Sequence, residues 1–486
     1  MESSAEYWLT RWLLQRGLGA IYLSAFLVAA NQFRPLLGER GLLPAPRYLR
    51  GLRFRDAPSL FHWMASDRAF AACAWAGVGL SLLAVSGFSE SFGTPFSMTV
   101  WALLWLLYLS FVNVGQTFYG FGWESLLLES GFLAIFLGAA GTEPPEALIW
   151  LYRWVLFRVM FGAGLIKLRG DACWRDLSCL DYHFETQPMP NPLSWHFHHL
   201  PSWVHRAGVL FNHLVEVIVP FAYFAPQPFA AGAGVLTILF QGALIVSGNF
   251  SWLNHLTLVL AFSTFSDAQL GLLLPLQAPA LSPPAPPHLV LVWMVVALVA
   301  ALSYRPARNL LAKHQLMNTS YEPWHLVNSY GAFGSITRPR YEIVFEGTDA
   351  PIPDETAPWR PYEFRGKPGD PRRLPPQFAP YHLRLDWLMW FAAMPSRQFE
   401  YPRWLIMLVA RLLQGDAATL ALLRANPFPE APPRFLRARY YLYRFTTRAE
   451  RRQSGCWWRR ELVGEFLPPL SLEDRGFREV LRRLGE

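Results

Sequence analysis

Residues 17–33, 69–87, 97–115, 123–140, 146–166, 208–225, 231–248, 252–275 and 288–304 form predominantly apolar runs. Crossing the hydrocarbon core of a bilayer takes about 20 such residues, so eight or nine spans fit into the first 304 residues. Within a bilayer the backbone must satisfy its own polar groups, so these runs fold as helices. The expected fold class is a polytopic α-helical membrane protein. The first run is the weakest, because Gly17 to Ala30 is short for a span and also suits an interfacial helix. The start, "MESSAEYWLTRWLL", is acidic before it is basic and lacks a small-residue cleavage site behind a short apolar core, so it reads as uncleaved.

The pattern changes after about residue 304. Proline and arginine become frequent, and strand-like alternation appears in "YEIVFEGT" (341–348) and "RARYYLYRFTT" (437–447). A helix is predicted from Pro402 to Leu413, with Gly415 just past its end, and a second short one from Asp416 to Arg424. The predicted organisation is a transmembrane bundle over 1–304 with a polar loop over 167–207, then a soluble β-rich C-terminal domain with short helices over 305–486. The proline-rich "LQAPALSPPAPPH" (276–288) cannot continue a helix and connects the last two spans.

A net charge of +8 points first to nucleic acid, but the arginines are dispersed and no nucleic-acid motif accompanies them, so membrane-surface arginine is the reading and no nucleic-acid partner is expected. Only three of the 43 basic residues are lysines. Lys167 is one, and it lies at the end of an apolar run. Glu124, Glu129, Arg153, Arg158, Lys167, His213 and Glu216 all fall within or at the edge of spans, where an unpaired charge costs several kcal/mol. They should face inward and meet one another. Arg153 and Arg158 are expected as ion-pair partners of Glu124 and Glu129. Glu216 follows His213 by one helical turn, so Lys167, His213 and Glu216 form a candidate catalytic group in which a desolvated lysine acts as base or nucleophile.

The polar loop carries Cys173 and Cys179, which could close a small disulfide if that side is oxidising. It also holds half of the 12 histidines, His183, His196, His198, His199, His205 and His213. Without a spaced set of carboxylates or thiolates they do not make a standard metal pattern, so no metal is assigned. "WHFHHLPSWVH" reads instead as an interfacial helix with Trp195 and Trp203 at headgroup level. "QPMPNP" (187–192) reads as a rigid, extended hairpin.

Long, irregular strings give these residues a family likeness. "RWVLFRVMFGAGLIKLRGDACWRDLSCLDYHFETQPMPNPLSWHFHHLPSWVHR", "NHLVEVIVPF", "LFQGALIVSGNFSWLNHLT", "QLMNTSYEPWHLVNSYGAFGSITRPRYEIVFEGT", "YEFRGKPGDPRRLPPQFAPYHLRLDWLMWFAA" and "NPFPEAPPRFLRARYYLYRF" resemble, in order, the lipase maturation factor family over about residues 105–475. The resemblance implies a membrane-anchored folding and assembly factor for secreted lipases, resident in the endoplasmic reticulum in vertebrates, whose C-terminal region engages the client. On that reading Trp324, Trp387 and Trp390 are client-binding candidates, although "RLDWLMWFAA" also reads as a buried helix. Gly366 stands where the vertebrate pattern has a cysteine, so a redox role through that cysteine does not carry over, while the Cys173 and Cys179 pair is kept. The arginine-rich, lysine-poor usage fits a GC-rich genome and leaves a bacterial source open, with the inner membrane and periplasm in place of the reticulum and a client other than lipoprotein lipase.

Gly164, Lys167 and Trp174 are also similar to the membrane domain of the vitamin K-dependent carboxylase. That resemblance implies an alternative, a membrane-embedded enzyme acting on a lipid, quinone or peptide with Lys167 as base. A purely structural scaffold is the third reading. The sequence identifies no cofactor, and the expected partners are membrane lipid and a secreted lipase client.

Topology divides the two lines of argument. Arg34, Arg40, Arg47, Arg50, Arg53, Arg55 and Arg68 make the first long loop basic and hence cytoplasmic, and nine spans then place the Lys167 loop and the C-terminal domain in the cytoplasm too. The family resemblance implies a lumenal or periplasmic C-terminal domain. A change in span number by one reconciles them.

Overall fold

The structure is a computed structural model that describes residues 7–394 and 401–484. Residues 1–6, the acidic start on which the expectation of an uncleaved N-terminus rests, lie outside the described residues. Among the described residues seven helices are long and apolar enough to cross a membrane: Trp8–Leu37, Asp67–Ser86, Thr94–Val114, Glu146–Arg169, Ser202–Phe224, Phe229–Ser247 and Pro286–Leu311. The chain is a polytopic helical membrane protein whose C-terminal region contains β-sheet.

The other two apolar runs form shorter helices, Gly122–Ala134 and Leu253–Thr264. Chain reversals stop both. Gly138 takes φ +85° in the turn after the first, and Ser266 opens a new short helix after the second through a capping box with Gln269.

The first helix, weakest by apolar length, runs for 30 residues and lies in the core. Its polar start is satisfied by distant carbonyls and one carboxylate. The Arg11 guanidinium donates to the Thr142 and Ala140 carbonyls at 2.7 and 3.0 Å, the Gln15 amide donates to Gly138 O at 3.2 Å, and Arg16 pairs with Glu90. Elsewhere helix ends obey local chemistry. The Ser66 hydroxyl caps Asp67–Ser86 by accepting from Ala69 N, and Gly87 at φ +82° ends that helix.

Four antiparallel strands form the C-terminal sheet in the order Arg360–Pro361, Arg340–Thr348, Phe435–Phe445, Trp458–Leu470. The two central strands are those legible as alternation. The edge strand Trp458–Leu470 escapes sequence reading because it is charged, mostly exposed and ends in two prolines. Pro468 and Pro469 fall where the register with Phe435–Phe445 shifts, and an edge tolerates the missing N–H groups. Helix Arg403–Leu413 ends before Gly415 at φ +64°, and Asp416 caps Ala417–Leu420, accepting from Thr419 N at 2.8 Å.

Buried polar bonds join the C-terminal region to the membrane helices. The Arg340 guanidinium donates to the carbonyls of Glu185, Gln187 and Pro188 at 3.1, 2.5 and 3.1 Å and to Glu342 at 2.6 Å, which seats the start of "QPMPNP" on the central strand. Asn249 accepts from Phe378 N and Ala379 N at 2.9 and 3.0 Å and donates to Pro376 O at 2.9 Å. Trp195, expected at headgroup level, is instead buried, and its indole N–H donates to Thr446 O at 2.8 Å; Trp203 is exposed. Trp195 has a polar partner supplied from the distant sheet, which an isolated interfacial helix would lack.

Candidate functional site

Lys167 occupies the last turn of Glu146–Arg169 and is only 4% exposed. Its Nζ donates to both Glu216 carboxylate oxygens at 2.7 Å and to Asn212 Oδ1 at 2.9 Å. The Asn212 amide in turn donates to Glu216 Oε2 at 2.9 Å. An ammonium has three donors, and three acceptor oxygens surround it. The Trp174 ring lies 4.9 Å from Nζ, a cation–π distance.

His213 does not join this group, contrary to its expected place beside Glu216. Its Nε2 lies 2.9 Å from Trp174 O instead. The physical reason is a π-turn over Leu214–Ile218. Its wider i→i+5 winding aligns position i+4 rather than i+3, so Asn212 and not His213 stacks over Glu216. Gly164 makes the close approach possible. A Cβ there would lie 2.8 Å from Val217 Cγ2 and 2.9 Å from Glu216 O.

Beneath the lysine, Cys173 and Cys179 form a disulfide. The same turn is held by Asp171, which accepts from Cys173 N at 3.1 Å and pairs with Arg338; that guanidinium keeps the Asp171 carboxyl well below the usual range. The Trp174 indole N–H donates to Phe333 O at 2.9 Å.

The expected ion pairs form only in part. Arg158 pairs with Glu129, which also accepts from Asn328 N at 3.0 Å and the Tyr330 hydroxyl at 2.6 Å. Glu124 does not meet an arginine of the spans; it pairs with Arg384 at 2.7 Å and accepts from the Tyr108 hydroxyl. Arg153 donates to Ser263 O at 2.8 Å and faces the Trp150 ring at 4.6 Å. A carbonyl at the end of a short helix does for Arg153 what a carboxylate was expected to do.

The three candidate tryptophans separate. Trp324 is 37% exposed, and its ring stacks on Trp105 at 6.1 Å. Trp387 is 4% exposed and packs among Trp123, His382 and Phe121, so it offers no surface to a client. Trp390 is half-buried and donates to Thr186 O at 3.1 Å. Both lie on helix Arg384–Ala392, which is buried over most of its length.

Lys167, Asn212 and Glu216 line a cavity of about 1500 Å3 whose walls also include Trp387, Trp390 and the sheet residue Tyr440. His183 lines it too. Burial, with a smaller contribution from the Lys167 charge, lowers the His183 pKa from 6.5 to about 4. Below pH 6.5 the unfolded chain takes up a proton that the folded chain refuses until about pH 4. Stability from this residue is therefore complete above pH 6.5 and lost as pH falls towards 4, by about 3 kcal/mol in all. Thermal melts of detergent-solubilised protein from pH 7 to 4 should fall less steeply for His183→Phe than for wild type; parallel curves would remove His183 as the source.

Sequence reasoning missed Asn212, Arg384 and the lining role of His183. Asn212 had a usable signal, its i,i+4 spacing to Glu216. Arg384 had none, since 260 residues separate it from Glu124.

Residues 9–272 match the lipase maturation factor transmembrane domain and residues 326–468 the lipase maturation factor C-terminal domain. The chain belongs to the lipase maturation factor family. It is 43% identical over 513 residues to lipase maturation factor 1 of Mus musculus, covering 97% of this chain and 88% of that protein. With lipase maturation factor 1 of Homo sapiens it shares 44% over 517 residues, 97% of this chain and 89% of that one. Lipase maturation factor 2 of Homo sapiens is 31% identical over 614 residues, covering 98% and 85%. No solved structure matches. In this chain Gly366 is tightly enclosed: a Cβ would lie 2.8 Å from Leu383 Cδ1 and Phe378 Cε1, so a cysteine there would require both side chains to shift.

Proposed function

We propose that this protein is a membrane-anchored factor for the folding and assembly of secreted lipases. The observation that carries the reading is the 43–44% identity to lipase maturation factor 1 across nearly the whole chain, which spans both family domains. The helices over 1–304 act as the membrane bundle, with the polar loop 167–207 at one end, and residues 305–486 act on the client from the lumenal face of the endoplasmic reticulum, or from the periplasmic face in a bacterium. The Cys173–Cys179 disulfide supports that side, since oxidising compartments keep such bonds. Of the three tryptophans, Trp324 retains the most exposed ring for client contact. Lys167 and Glu216 act here as an ion pair that fixes the cavity end. A base mechanism needs a free amine, and the three oxygens around Nζ at 2.7–2.9 Å argue against one.

The test is the specific activity of secreted lipases, per milligram, in the native host lacking this gene and complemented at equal expression. Deletion should lower it several-fold. Wild type and the charge-neutral double variant Lys167→Met/Glu216→Leu should restore it. Failure of a stably expressed double variant would move chemistry at the lysine ahead of folding assistance. No effect of deletion would reject the lipase reading altogether.

A further inference from the structure

The cavity beside Lys167 is larger than the roughly 300–1,000 Å3 that holds drug-sized ligands, at about 1500 Å3. Its wall is largely apolar, including Phe240, Leu244, Phe250, Trp390, Tyr440 and Phe466. Polar side chains interrupt that wall, among them the Lys167, Asn212 and Glu216 cluster, Gln241, His183 and Asn254. His183 and Asn254 are each 6% exposed and line the cavity, yet neither side chain makes a hydrogen bond among the described residues. Buried polar groups are as a rule hydrogen-bonded, so two unpartnered ones facing one space point to a missing partner. The His183 ring stacks against Phe250 at 6.0 Å, four residues before Asn254, and Phe184 and Phe333 enclose it at 5.6 Å each.

The charge of the lining narrows the chemistry. Among the described residues Lys167 is the one lysine or arginine on the wall, and Glu216 already neutralises it; Glu465 adds a negative charge. An anionic head would find no open cation among the described residues. With its pKa near 4, the His183 imidazole is neutral at pH 7 and offers one donor and one acceptor, and the Asn254 amide offers both as well. A hydroxyl group complements such a pair, because it donates and accepts at once.

We propose that the cavity holds one uncharged lipid with a hydroxyl-bearing head, of the diacylglycerol class, its acyl chains on the apolar wall and its head hydrogen-bonded to His183 and Asn254. This goes beyond the lipase reading and does not depend on it.

The full chain, purified in a mild non-ionic detergent, is titrated with tritiated 1,2-dioleoylglycerol in mixed micelles, and protein-bound label is separated by gel filtration. Saturable binding near one lipid per chain is expected, displaced by unlabelled dioleoylglycerol and at least about tenfold less well by dioleoylphosphatidate. His183→Phe/Asn254→Leu should weaken binding by about tenfold or more while melting at the wild-type temperature. Label that partitions without saturating, equal displacement by phosphatidate, or wild-type binding by a folded double variant would each overturn the proposal. Saturation and phosphatidate competition use the wild-type chain alone, so they decide the question even where the double variant fails to fold.

Discussion

Lys167→Met is expected to destabilise the protein by about 3–5 kcal/mol, the range for removing one partner of a buried ion pair. The size follows from what remains. Glu216 is 4% exposed at its side chain and would keep one donor, the Asn212 amide, for a charge that now accepts two bonds from the ammonium. Methionine fills most of the lysine volume, so the loss comes from the stranded carboxylate rather than from a void. The double variant Lys167→Met/Glu216→Leu should recover most of the loss, since an apolar pair of similar volume often replaces a buried ion pair at little cost. Chemical unfolding of the detergent-solubilised protein measures both. Equal stability of the single variant and wild type would mean that cavity water solvates Glu216 and that the pair does not hold the two helices together.

Arg384→Met should have an effect of similar size, about 3–5 kcal/mol, and a different signature. Arg384 has no exposed side-chain surface and reaches from the C-terminal region into the bundle, donating to Glu124 at 2.7 Å and Phe118 O at 2.7 Å over the Tyr119 ring. Its backbone N–H also donates to the Gln32 side chain at 3.0 Å, and Gln32 donates to His382 O at 2.6 Å. Removing the guanidinium leaves Glu124 with the Tyr108 hydroxyl as its remaining side-chain partner among those bonds. The variant should loosen the seat of helix Arg384–Ala392 on the bundle. Limited proteolysis should then cut between the membrane helices and the sheet faster than in Lys167→Met matched for melting temperature. Identical cleavage patterns would show that Asn249 and Arg340 hold the two parts together without Arg384.

Two placements show where sequence reading works and where it stops. Gly164 and Lys167 are legible as a helix end carrying a buried cation, because three-residue spacing puts both on one side of any α-helix. Helical spacing offers the carboxylate two neighbours, Asn212 at i,i+4 and His213 at i,i+3, and the choice between them is not legible. A π-turn needs one extra residue in the winding, and "FNHLVEVIVPF" does not announce it. Likewise Glu129 and Arg158 could be matched as opposite charges in neighbouring spans, whereas Glu124 and Arg384 meet across 260 residues.

By itself, then, the sequence determined that this chain crosses a membrane as helices, that its last third contains strands, and that its intramembrane charges need partners. Hydrophobic length and strand alternation are local, and desolvation penalises any lone charge wherever it lies. Only the tertiary structure decided which partners those charges take, that the first helix is central, and that helices and sheet enclose a common cavity. Those outcomes depend on distance in space, set by hydrogen bonds between residues hundreds of positions apart.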